Sequence, residues 1–172
     1  MKFLSNNSIL FLLASLLVSC GSGDLPDTGN DDEKDDETPA IIWNNVAGSS
    51  SDALISSFWN SGGNYFNTDN SGNTTFQYWP NAHGLDVLID AYLRSDDATY
   101  RSYFDKWFIG VKAHNGNSWK NDYYDDMEWN ALALLRAYQA TGETRYKDAA
   151  LELWEYIKEG WNENAGGGIT WK

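Results

Sequence analysis

Two stretches of this chain lie 46 residues apart and read alike. Ala91-Tyr92 is matched by Ala137-Tyr138, and Tyr100 by Tyr146, at that one spacing; Trp107 and Asn115 find counterparts in Trp154 and Asn162 one residue out of step. Each stretch holds a helical pattern, a short turn and a second helical pattern. In residues 84–94, Leu85, Leu88, Ile89 and Tyr92 recur on one helix face. Residues 95–114 restart a helix after the turn RSDDAT, and WNALALLRAYQATGE followed by TRYKDAALELWEYIKEGW repeats the arrangement. A lone helical hairpin cannot cover its own apolar face, so the repeat predicts a stack of αα-hairpins. A further helix is expected over 49–60, where Ser49 and Asp52 have capping-box spacing ahead of Leu54, Ile55, Phe58 and Trp59. The Gly/Asn/Ser/Thr-rich segment 61–75 reads as a long loop. Its NTDNSGNTT lacks the closing Glu of a calcium loop.

The repeat also sorts the connections. Segments that precede the first helix of each unit must fall at one end of the stack: YWPNAHG (78–84), NDYYDD (121–126) and, in the next equivalent place, NAGGGITW (164–171). All three are rich in Trp, Tyr, Asn, Gly, His or Asp. The opposite turns, RSDDAT and ATGET, are not. One end reads as functional and the other as structural.

Composition narrows the partners. Aromatics make up 15% of the chain and all nine Trp lie beyond residue 40; most are expected in a helical core, the rest as flat faces for a sugar or an aromatic ligand. Residues 1–19 read as a lipoprotein signal peptide: Lys2, an apolar run from Ile9 to Val18, and small residues before Cys20. Cys20, the sole cysteine, is the expected lipidation site, anchoring the protein to the outer membrane, surface-exposed or facing the periplasm. Residues 20–39 read as an acidic disordered tether. Eight acids and one lysine between 24 and 37 carry about half of the net charge of −13. Residues 40–172 then form the folded domain. Its acidic balance argues against nucleic-acid binding. No Cys site is available there, and two His, His83 and His114, make no His-rich metal site. No metal or cofactor is expected, and the domain is read as a monomer.

Within the functional end, Asp125 and Asp126 stand side by side among Tyr123, Tyr124 and Trp129. Asp is a favoured helix N-cap, carboxylates suit a first helical turn, and Asp125 with Glu128 has capping-box spacing. A cap nevertheless needs one Asp, and two adjacent anions repel. Paired carboxyls suit glycoside hydrolysis, where one positions or attacks and the other must be protonated at rest. The charge of one raises the pKa of its neighbour. Side chains at successive helix positions can lie about 5 Å apart, the separation retaining enzymes use.

YYDDMEWNALALLRAYQATGE resembles the signature of glycoside hydrolase family 76, the endo-α-1,6-mannanases, and YWPNAHGLDVLIDAY and GGGITWK resemble its flanking blocks in the same order. The resemblance spans about residues 45–172. It implies an all-α fold of (α/α)6 barrel type, retaining, endo-acting hydrolysis of α-1,6-linked mannan with α-mannan or mannooligosaccharides as substrate, Asp125 as nucleophile and Asp126 as acid/base. Family members continue well beyond GGGITW, so about half of the barrel is expected here. The rival readings are a non-catalytic mannan-binding lipoprotein and another (α/α)6 carbohydrate-active enzyme. Trp79 and Trp171 are candidates for stacking on sugar or for core packing, His83 for a sugar hydroxyl or a structural role. Asn121, Tyr124 and Trp129 complete the candidate substrate contacts. Asp86 and Asp90, spaced i,i+4, repel unless one faces a ligand; Asp86 is expected to face the cleft.

Overall fold

The structure, a computed structural model, describes residues 41–172. The signal peptide, Cys20 and the acidic tether lie outside the described residues. Five helices account for most of the described chain: α1 Trp43–Phe58, α2 Tyr78–Ser95, α3 Ala98–His114, α4 Tyr124–Thr141 and α5 Thr144–Lys158. Two short antiparallel ribbons complete it, β1 (Trp59–Asn60) with β2 (Tyr65–Phe66), and β3 (Trp161–Asn162) with β4 (Gly168–Ile169).

The internal repeat is realised in three dimensions. Helices α2 and α4 begin at Tyr78 and Tyr124, and α3 and α5 at Ala98 and Thr144, which is the repeat spacing in both cases. Each first helix closes on a left-handed residue, Asp96 after α2 and Gly142 after α4, a conformation that Gly and Asp tolerate better than most residues. Asp97 then caps α3, its carboxylate accepting the Thr99 N–H at 2.7 Å. Helix α4 packs against α2 and α5, and α2 packs against α3, giving the stacked αα-hairpins expected of a partial (α/α) barrel.

Leu85, Leu88 and Ile89 of α2 interlock with Phe104 and Trp107 of α3, Leu134 of α4, and Tyr146 and Leu153 of α5 in one buried cluster. The expectation that most tryptophans serve this core is not met. Trp107 and Trp119 are buried, whereas Trp43, Trp79, Trp129, Trp154, Trp161 and Trp171 are exposed. The capping box at Ser49 is also corrected. Helix α1 starts six residues earlier, at Trp43, and Ser50 and Ser51 lie inside it, donating their hydroxyls back to Val46 O and Ala47 O.

Two contacts lock the β1–β2 ribbon onto the helices. The buried Asn81 side chain accepts the Phe66 N–H at 2.7 Å and donates to Gln77 O at 2.8 Å, so it closes both the ribbon and the first turn of α2. On α3, Gly110 lets the ribbon's backbone approach: a Cβ there would lie 2.2 Å from Asn64 O and 2.4 Å from Gly63 O. Because backbone cannot swing aside as a side chain can, Gly110→Ala is expected to destabilise the fold by about 1–3 kcal/mol. Urea unfolding monitored by circular dichroism checks this; an unchanged midpoint would show that the ribbon is loosely held.

Candidate active site

Helix α4 starts without a polar cap. Its N-cap is Tyr123, extended, with no side-chain cap bond. The turn before it is shaped by amides. Asn115 donates to Ser118 O at 2.7 Å and Lys120 O at 3.0 Å. Asn121 donates to Asn115 Oδ1 at 2.9 Å and accepts the Tyr123 N–H at 3.1 Å. The Tyr124 N–H, one of the orphan donors of a helix start, is met by Trp171 O at 3.0 Å. The Tyr124 ring lies against Gly160, where a Cβ would come within 2.8 Å of it. The segment after α5 is thereby fastened to the first turn of α4.

Asp125 and Asp126 occupy that first turn and are not its caps, since neither accepts a bond from a backbone N–H among the described residues. The favourable field of the helix N-terminus remains. Asp125 Oδ2 accepts the indole N–H of Trp171 at 3.0 Å, while Asp125 Oδ1 is buried without a hydrogen-bond partner among the described residues. Asp126 behaves differently. Burial, and after it the adjacent Asp125 charge, push its pKa up to about 6. Asn130, fully buried, donates to Asp126 O at 2.8 Å and to Tyr78 O at 3.4 Å, tying the starts of α4 and α2 together.

Both aspartates line a cavity of about 470 Å³ with Gln77, Trp79, Tyr123, Trp129 and Trp171. Of the residues expected from sequence to meet substrate, Trp79, Trp129 and Trp171 are therefore brought together with Asp125 and Asp126. His83 sits between two of them, its ring 5.6 Å from Trp79 and 4.8 Å from Trp129, centroid to centroid; it supports the aromatic wall and lines a neighbouring apolar recess with Leu54, Phe58 and Val87.

Three of the expected residues stand outside the lining of this cavity. Asp86 does not line the cavity: it accepts from Arg136 Nη1 at 2.6 Å, and Asp90 pairs with the other end of the same guanidinium. The i,i+4 repulsion is relieved by a cation on α4, not by a ligand. Asn121 is committed to the turn, and Tyr124 to Gly160, so neither lines the cavity. Tyr123 takes the position expected of Tyr124, because the helix begins one residue after it. Gln77 was absent from the sequence-based set, and nothing in the sequence around Gln77 marks it.

Adjacent carboxyls, that of Asp126 with its pKa raised to about 6, walled by aromatics on stacked helical hairpins, suit hydrolysis of a glycosidic bond. The chain belongs to glycosyl hydrolase family 76, whose model matches residues 43–172. It is similar to the α-1,6-mannanase of Salegentibacter sp. HEL1_6, at 43% identity and a TM-score of 0.72 over 76% of this chain and 38% of that one. It is similar too to an inactive variant of that enzyme, with two consecutive aspartates replaced by asparagine, in complex with α-1,6-mannotriose (42% identity, TM-score 0.72, 76% and 38% covered). A Listeria innocua protein matches at 32% identity and a TM-score of 0.68, over 77% of this chain and 40% of that one. The chain thus spans about two fifths of the structures it resembles. No curated protein matches it.

Proposed function

We propose that the chain is a retaining, endo-acting glycoside hydrolase of α-1,6-mannan. The observation that carries this reading is the asymmetry of the carboxylate pair: Asp125 holds an indole N–H, while Asp126 keeps its proton up to about pH 6. The α-1,6-mannotriose complex of the Salegentibacter variant supports the substrate class, and its two substituted neighbouring aspartates support the site. Asp125 attacks the anomeric carbon as the bond to the leaving oxygen breaks, and Asp126 gives that oxygen its proton. A glycosyl ester on Asp125 results. Water then attacks the same carbon, Asp126 takes its proton, and the ester bond breaks to free Asp125. Trp79, Trp129 and Tyr123 offer flat faces to the sugar rings.

Incubating the purified chain with linear α-1,6-mannan is expected to release mannooligosaccharides. Binding without release would replace this reading with that of a mannan-binding protein.

The anchor is part of the same proposal. Cys20 is lipidated, and residues 20–39 tether the domain at the outer membrane. Cys20→Ser is expected to move the protein from the membrane to the soluble fraction. If the variant fractionates as the parent does, the anchor is elsewhere.

A further inference from the structure

Trp171 was expected to stack on sugar or to pack in the core, and its contacts point to another task. Its backbone carbonyl accepts the Tyr124 N–H at 3.0 Å, at the start of α4. Its ring meets Tyr123 with centroids 5.0 Å apart and planes 52° apart. Its indole N–H reaches Asp125 Oδ2 at 3.0 Å. Backbone, ring and N–H are thus all fixed against three successive residues of one helix start, although the side chain is largely exposed. A stacking platform needs a ring face and has no use for a directed N–H; Phe or Tyr would serve. Trp adds to the ring face an N–H donor that Phe lacks.

The donor is also selective. Of the two neighbouring carboxylates, Asp125 receives it and Asp126 does not. Asp125 Oδ1 is buried, which leaves Oδ2 as the oxygen presented to the cavity. The N–H takes one lone-pair direction of Oδ2 and leaves the other free. We infer that Trp171 is a positioning residue, whose indole N–H fixes the Asp125 carboxylate in the orientation in which it meets the anomeric carbon. The inference deepens the hydrolase reading and rests on it.

Trp171→Phe removes the N–H and keeps a ring. On α-1,6-mannotetraose it is expected to lower kcat about tenfold or more, the range for losing a hydrogen bond to a charged group, with KM nearly unchanged. A rise in KM with kcat unmoved would mean that Trp171 only stacks, and would overturn the inference. A second readout needs no turnover. The Trp171 indole proton, followed by NMR, should lie downfield in the parent chain and move upfield in Asp125→Ala, which removes its acceptor Oδ2. An indole proton unmoved by that substitution would sink the inference. Absence of hydrolysis by the parent would instead sink the hydrolase reading, with the indole shift still deciding the contact.

Discussion

Asp125→Asn is expected to abolish mannan hydrolysis, by on the order of 10⁴-fold or more, the scale on which loss of a catalytic residue registers. An amide cannot form the glycosyl ester, so activated substrates with good leaving groups should fail equally. Asn also accepts a hydrogen bond, so the contact to the Trp171 indole at 3.0 Å can survive and the fold should be little changed. Loss of activity with an intact unfolding transition is the pattern of a nucleophile. Retention of activity would make Asp125 a structural residue of the helix start. The measurement is product release from α-1,6-mannan and from an aryl α-mannoside with an acidic phenol, side by side.

Asp126→Asn should separate those two substrates. It removes the proton donor, so cleavage of mannan, whose leaving group is a sugar alkoxide, should fall by roughly 10²–10⁴-fold. Formation of the glycosyl ester from the activated aryl mannoside needs little protonation and should fall far less. In the parent, mannan hydrolysis should decline as pH rises through about 6, where Asp126 loses its proton. Stability runs the same way. The pKa of Asp126 is raised on folding from an ordinary 3.8, so its contribution is intact below that value and is lost as pH rises through the folded one. Asp126→Asn should therefore gain stability above pH 6, by no more than about 1–2 kcal/mol given the solvent access of the cavity. A helix cap would behave otherwise, since Asn caps about as well as Asp at any pH. Equal losses on both substrates would refute the division of roles.

The repeat made the hairpin stack legible because helical spacing and repeat spacing are local properties of the chain. Helix starts were less so. Helices α2 and α4 begin at Tyr78 and Tyr124, whereas the apolar pattern suggested Gly84 and Trp129. The Tyr124 N–H is met by Trp171 O across the fold, and no cap residue announces such a bond. The same distance hid the partner of Asp86 and Asp90, since Arg136 lies more than forty residues away in sequence. Asp125 and Asp126 stood out because adjacent acids among aromatics are an anomaly that capping alone does not need. Tyr123 and Tyr124 could not be told apart, because one residue of helix boundary decides which ring turns into the cavity. Trp79 and Trp171 were legible as aromatics at the right end of the stack, but the bond from the Trp171 indole to Asp125 depends on the path of the chain after α5.

The central claim is that Asp125 attacks and Asp126 donates, and it is tested most directly by the configuration of the first product. Cleavage of an α-1,6-linked mannooligosaccharide by the full chain can be followed by proton NMR within the first minutes, before the new reducing end mutarotates. Two displacements at one carbon restore its configuration, so the α anomer is expected to appear first. Early appearance of the β anomer, or no cleavage at all, would contradict it.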